Sequence, residues 1–274
     1  MINKTPTIFH ITHWKAGSQW VAEILKQSAP TRFVAWEIAD PHANGGHGIP
    51  NFYAKPLVPG KIYGTVYLNN KRFQNIVFGF FGRSRQGSPF RAIINWWNFS
   101  IRRSPTRCFV VIRDLRDTLI SLYFSTRYSH QIVVDRLALI RQKLNSISIE
   151  DGLVYLLEDI LPESVEIQAS WIGAADVLVL RYENILDNEY NFFENLIEYC
   201  QIDVSLERLH DIVRYNLFEA AAGRRRGNQD ISAHLRKGIA GDWRNYFTER
   251  VKTEFKKQYG KLLIDTGYEK DLNW

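Results

Sequence analysis

Three short apolar runs, Thr7 to Thr12, Cys108 to Ile112 and Val177 to Leu180, each lead through a turn into a helical pattern, and this recurrence restricts the available folds more than any other feature. The runs lack the apolar–polar alternation of half-exposed strands, so they read as buried parallel strands. After the first run, Val21, Ile24, Leu25 and Ser28 share one helical face; after the second, Leu115, Leu119, Leu122 and Tyr123 do; after the third, Phe192, Phe193, Leu196 and Tyr199. Strand, loop and helix in repeated order predict an α/β fold: a single domain whose central, mainly parallel sheet is flanked by helices joined through right-handed crossovers.

Nothing in the composition divides the chain. With 274 residues and 45% hydrophobic content there is material for one substantial core, and no Gly/Ser or Pro tract marks a linker, so residues 1–274 read as one domain. Leu153 to Trp171 is apolar along one side and predicts one or two packed helices, with Pro162 at a bend or a fresh start. Two segments read as loops: residues 41–60, rich in glycine and proline, and residues 80–106, where arginines alternate with Phe90, Trp96 and Trp97. The only cysteines, Cys108 and Cys200, do not suggest a disulfide framework, and no run is long and apolar enough to span a bilayer. A cytoplasmic protein without an integral membrane segment is expected. Its net charge of +6 suits acidic partners without selecting among them.

The chemistry-bearing residues gather where the strands end. Thr12 runs into His13-Trp14-Lys15-Ala16-Gly17-Ser18-Gln19-Trp20 and then a helix, so the backbone N–H groups of a glycine-containing loop face outward from a positive helix terminus, a natural seat for phosphate. The loop lacks the Gly-Lys-Ser/Thr of nucleoside triphosphatases. After the second strand, Arg113 is followed by Ser121 two helical turns on, within reach of one anion lying over the helix start. After the third comes Arg181-Tyr182-Glu183-Asn184, with Phe218 further along. Near the C-terminus, Arg236-Lys237-Gly238-Ile239-Ala240-Gly241-Asp242-Trp243 combines a planar cationic fork, a point charge and two glycines that permit close backbone approach, which reads as an anion clamp. The Arg224-Arg225-Arg226 run reads by default as a solvated charged stretch.

These motifs resemble those of sulfotransferases that use 3′-phosphoadenosine-5′-phosphosulfate (PAPS). The C-terminal stretch is similar to their RKGxxGDW signature. The first loop is similar to their PKSGTTW phosphosulfate loop, a P-loop-like element, with Trp14 in place of proline, Ala16 in place of serine, and Ser18 and Gln19 in place of threonines. The resemblance spans Ile8 to Trp274, keeps the family's motif order, and looks nearer to bacterial members than to the animal phenol and steroid enzymes. It implies a nucleotide site built from Lys15, Ala16, Gly17, Ser18, Gln19 and Trp20, with Arg113, Ser121, Arg236, Lys237 and Gly238 toward the 3′-phosphate and Tyr182 and Phe218 toward adenine, Phe218 opposite Trp20. It also implies sulfuryl transfer to a hydroxyl or amine of a small-molecule or glycan acceptor, release of the desulfated product PAP, and Lys15 beside the leaving oxygen. No metal and no nucleic acid are expected to take part, and a homo-oligomer is compatible with the reading.

The acceptor's proton is less well placed. Relatives carry a histidine in a KTHLP-like segment, whereas the corresponding Gly64-Thr65-Val66-Tyr67-Leu68 has none. Tyr67 is a candidate base if a cationic cleft lowers its pKa; His47 and His130 are candidates near neutral pH; Glu37 and Asp40 are carboxylate alternatives. Two other functions compete. A phosphoryl transferase needs a magnesium-holding hydroxyl directly after the loop lysine, where Ala16 stands. A nucleic-acid or membrane-surface binder needs a continuous basic face, whereas the cations here are punctuated by acids, so 80–106 reads as a lid over the acceptor.

Overall fold

Strand β1, Thr7–Thr12, is buried along its whole length because it lies at the centre of the sheet. In the computed structural model the described residues are 5–35, 38–40, 49–50, 55–79, 89–132 and 135–274. Around β1 run β2 (Phe33–Val34), β5 (Ile62–Val66), β6 (Thr106–Ile112) and β7 (Val177–Arg181), in the spatial order β2-β5-β1-β6-β7 and all parallel. A separate antiparallel pair joins β3 (Ile38–Asp40) to β4 (Ile49–Pro50), the latter inside residues 41–60, which read as loop in the sequence. The three expected strands are present in the expected orientation. β7 differs in one respect: as the edge of the sheet it is half-buried instead of enclosed.

β5 was not among the expected strands, because Gly64 interrupts its apolar pattern. The glycine has a packing cause, since a Cβ there would run into the ring of Phe33 on β2. Residues 80–106 also depart from expectation. Helix α3, Pro89–Trp96, continues as a π-helical turn through Ile101, and β6 begins at Thr106. This helix follows α1 (Ser18–Ser28) and α2 (Asn70–Val77). It is held from its buried side by Asn95, whose Oδ1 accepts from the Leu57 N–H at 2.8 Å and whose amide donates to the Ile76 carbonyl at 3.0 Å.

α4, Leu115–Phe124, begins at Asp114, whose side chain accepts from the Arg116 N–H, and runs on into a π turn through Ser129. α5 (Asp135–Ser146) and α6 (Ile149–Asp159) follow, and Pro162 opens a fresh helix, α7 (Leu161–Trp171), as the sequence implies. Beyond β7 come α8 (Tyr182–Asp187), α9 (Glu189–Tyr199), α10 (Leu206–Tyr215), α11 (Phe218–Ala222), a 3₁₀ turn at Asp242–Asn245, and α12 (Glu249–Asp265). Alternate strand residues supply the two faces. Ile8, Phe109 and Val111 pack with α1, α9 and α10, whereas Phe9, Ile11 and Val110 pack with Phe73 and Trp171 on the other side. With both faces covered, the polar ends of β1, β6 and β7 are left side by side at one rim, where ligands of open parallel sheets bind. Cys108 and Cys200 are buried free thiols.

Candidate functional site

The turn from β1 into α1 is set by two left-handed residues, Lys15 at φ 66° and Gly17 at φ 78°. For Gly17 a side chain is excluded twice over: by that φ, and because a Cβ would lie 2.6 Å from the Tyr182 ring. Lys15 has no such exemption, and its strained backbone is of the kind found where a side chain must be aimed. Ala16 and Ser18 are buried, Gln19 is exposed, and Trp20 is half-buried with its ring edge-on to Phe193, centroids 5.8 Å apart. Tyr67 donates its hydroxyl hydrogen to Ser18 Oγ at 3.0 Å. Burial pushes the Tyr67 hydroxyl above its ordinary pKa. Desolvation outweighs the hydrogen bonds with Ser18, Thr65 and Gln19, so the condition on which Tyr67 would serve as a base, a lowered pKa, is not met.

Arg113, at the end of β6, joins the motifs. Its guanidinium donates to the Lys15 carbonyl at 2.9 Å and to the Ile239 carbonyl at 3.4 Å, and lies 4.4 Å over the Tyr182 ring. It is not spent on the neighbouring acids, because Asp114 is taken by Arg116 at 2.7 Å, and Arg116 lies against Trp243 and Trp274. Asp117 instead accepts from the Gly241 and Trp243 N–H groups, fastening the C-terminal stretch to α4. Beneath Arg113, its own N–H donates to His13 Nε2 at 3.2 Å while His13 Nδ1 donates to the Trp14 carbonyl. Burial holds His13 neutral, its pKa down to about 4. Ser121 is half-buried farther along α4.

The clamp residues are already paired. Asp242, 3% exposed, accepts from Lys237 at 2.6 Å, from Arg236, and from Asn245. The Arg236 guanidinium also lies 4.4 Å over Phe124. Gly238 has φ 66°, and a Cβ on it would be 2.5 Å from the Phe218 ring, so this glycine seats Phe218 as Gly17 seats Tyr182. The Arg224-to-Arg226 run is not simply solvated: Arg224 lies 5.3 Å over Phe218, and Arg226 lies 5.7 Å over Trp20 while paired with Glu189. Trp20 and Phe218 therefore each carry a cation from the same short run.

Lys15 Nζ donates to Ser125 Oγ at 3.0 Å, and burial, with the Arg113 and Arg236 charges, lowers its pKa to about 8. Two histidines feel the Lys15 charge. His130 is lowered by burial and then by Lys15 and Arg141, and His234 falls to about 4 through burial, Lys15 and His130. Ser125, His234, Asp117 and His13 were not among the residues singled out from sequence. A lone serine, histidine or aspartate carries no spacing signal, although Asp117 sits inside the Arg113-to-Ser121 stretch. His47 and Glu37 lie outside the described residues, and so does the side chain of Asp40. Among the described residues, no cluster of three or more His, Cys, Asp or Glu is arranged to hold a metal ion, and no helix is long and apolar enough to cross a membrane.

The rim thus offers four cations, a helix start, and aromatic rings seated on glycines. Arg113 Nε and, on the Trp20 ring, Nε1 are buried without a protein partner. Such a donor-rich cradle with orphaned donors fits an anionic purine nucleotide. The family model described as "Sulfotransferase domain" matches residues 5–267. Sulfotransferase 1E1 of Mus musculus is 27% identical over 99 residues, which cover 32% of this chain and 34% of that protein. A 3-alpha-hydroxysteroid sulfotransferase of Cavia porcellus is 24% identical over 188 residues, covering 62% of this chain and 59% of that enzyme. The matched stretch therefore spans about a third of the mouse relative's length. Among solved structures, mouse sulfotransferase SULT7A1 complexed with PAP superposes with a TM-score of 0.59 at 15% identity, covering 97% of this chain and 86% of that one. A retinol dehydratase in complex with androsterone and PAP gives 0.56 at 13% identity, covering 96% and 83%. At these identities the two structures establish likeness of fold.

Proposed function

Because this chain belongs to the sulfotransferase domain family, and because a single guanidinium, Arg113, ties the Lys15 loop to the C-terminal clamp, we propose that it transfers a sulfuryl group from PAPS to a hydroxyl or amine of a small acceptor and releases PAP. The convergence on Arg113 is the observation that carries the reading: cations from three separate strand ends and loops meet at one rim, as a nucleotide with phosphates at two positions requires. The Lys15 loop and the start of α1 take the 5′ side. Arg113, Ser121, Arg236, Lys237 and Gly238 take the 3′-phosphate. Trp20, Tyr182 and Phe218 border the adenine.

In the transfer, the acceptor's oxygen or nitrogen forms the new bond to sulfur as the bond from sulfur to the 5′-phosphate oxygen breaks, and that oxygen keeps the electron pair. Lys15 is aimed at this growing charge, and a preorganised donor in such a place supplies about 3–4 kcal/mol of transition-state stabilisation. The proton lost by the acceptor goes to His130 or His234, both neutral at pH 7 beside Lys15. Tyr67 serves instead as an anchor for Ser18.

Calorimetry with PAP and with adenosine 5′-phosphate tests the assignment. The groups assigned to the 3′-phosphate make charge-assisted bonds, so PAP binds about tenfold or more tightly than the monophosphate. Equal affinities overturn the reading.

A further inference from the structure

Helix α3 and its π turn bury Arg91, Ala92, Asn95 and Phe99 and turn the opposite face outward. That outward face is apolar: Phe90 is 68% exposed, Ile93 48%, Trp97 51% and Ile101 48%. At about 100° per residue the four fall within an arc of about 80°. A helix with one face in a core ordinarily carries charged or polar groups on the other.

The charges that the surrounding stretch of sequence contributes are of one sign. Arg102 and Arg103 follow the helix and are exposed. From Pro41 to Arg113 the sequence holds eleven lysines and arginines and no aspartate or glutamate, +11 in a chain whose total is +6. The interleaving of acids and cations that speaks against a basic face therefore applies to the rest of the chain and fails here.

We propose that this face docks on the surface of an anionic lipid bilayer. Phe90, Ile93, Trp97 and Ile101 lie at the boundary of headgroups and acyl chains, where aromatic side chains are favoured, and Arg102 and Arg103 meet headgroup phosphates. A second copy of the chain is a poorer occupant, because self-association would press two surfaces of the same sign together. The contact is peripheral, since α3 is far too short to span a bilayer.

Co-sedimentation of the full chain with phosphatidylcholine vesicles, with and without phosphatidylserine, provides the test. Binding is expected to the serine-containing vesicles and to weaken as salt is raised. The double variant Ile93→Ser/Trp97→Ser is expected to lose about tenfold or more in partition coefficient. Arg102→Glu/Arg103→Glu is expected to lose about tenfold or more on serine-containing vesicles while leaving binding to neutral vesicles unchanged. Thermal melts matching wild type establish that the variants fold, and a variant that melts early is replaced by the milder Trp97→Gln. Failure of wild type to bind serine-containing vesicles, or equal binding by a folded apolar-face variant, overturns the proposal. So does analytical ultracentrifugation showing a dimer that the Ile93→Ser/Trp97→Ser variant abolishes, which would assign the face to a second copy.

Discussion

The two sides of Lys15 are built differently. Toward the proposed phosphates, each cation is fixed by a protein group: Arg113 by the carbonyls of Lys15 and Ile239, and Arg236 and Lys237 by Asp242 of their own stretch, with Asp117 clipping Gly241 and Trp243 to α4. Toward the proposed acceptor, His130 and His234 keep part of their surface open to solvent, and each is lowered by partial desolvation first and by the Lys15 charge second. The contrast matches the two tasks. Donors that stabilise fixed phosphates act best when they need no reorganisation, whereas a proton acceptor must adapt to whichever acceptor group arrives.

Lys15 sits where the two sides meet, and its loss is expected to have the largest effect. Lys15→Ala is expected to lower turnover by about 10³, because the charge at the leaving oxygen is lost, and to weaken PAP binding much less. Steady-state rates with any working acceptor, set beside PAP calorimetry, check it. Turnover within a few-fold of wild type would remove Lys15 from the chemistry.

On the looser side, replacing the responsible histidine is expected to cost about 10² in kcat and to abolish the rising limb of the pH–rate profile with PAP affinity intact. His130→Ala and His234→Ala, measured separately, identify which one acts. If both keep normal profiles, neither histidine is the base, and His47, outside the described residues, becomes the next variant to make.

The same division explains what could be read from sequence. The phosphate side was legible because close backbone approach demands glycine at set positions: Gly17 and Gly238 have positive φ and abut the rings of Tyr182 and Phe218, so their spacing from Lys15 and Arg236 is constrained. The three central strands were legible from their apolar runs. β5 was hidden by Gly64, whose role depends on Phe33, a residue distant in sequence. α3 was hidden because its outward face carries Phe90, Ile93 and Trp97, so no polar stripe sets off the helical period. His234 and Ser125 were illegible because only the fold brings them to Lys15.

The rigidity of the phosphate side can be tested without a ligand. Asp242 is buried and holds two cations and an amide, so Asp242→Asn leaves donors under-satisfied and is expected to lower unfolding free energy by about 2 kcal/mol. Denaturant titration measures it. A change below about 0.5 kcal/mol would place Asp242 among solvated surface acids and the clamp among flexible elements.

The smallest expected effect is on the pH dependence of nucleotide binding. With its pKa lowered to about 8 by burial, Arg113 and Arg236, Lys15 is mostly charged at pH 7 and mostly neutral at pH 9. An anionic nucleotide favours the charged form, so the complex holds the Lys15 proton to higher pH than the free protein does. Above pH 8, binding is then accompanied by proton uptake, and affinity falls as pH rises, by about tenfold between pH 7 and pH 9. Calorimetry in buffers of different ionisation enthalpy reads both the affinity and the proton. Lys15→Met removes the titrating group while keeping its apolar length, and should flatten the profile over this range. A profile that still falls in Lys15→Met would assign the proton to another group at the rim. A flat profile in the wild-type protein would mean that Lys15 stays charged in the free cleft and that Ser125, not the surrounding cations, sets its state.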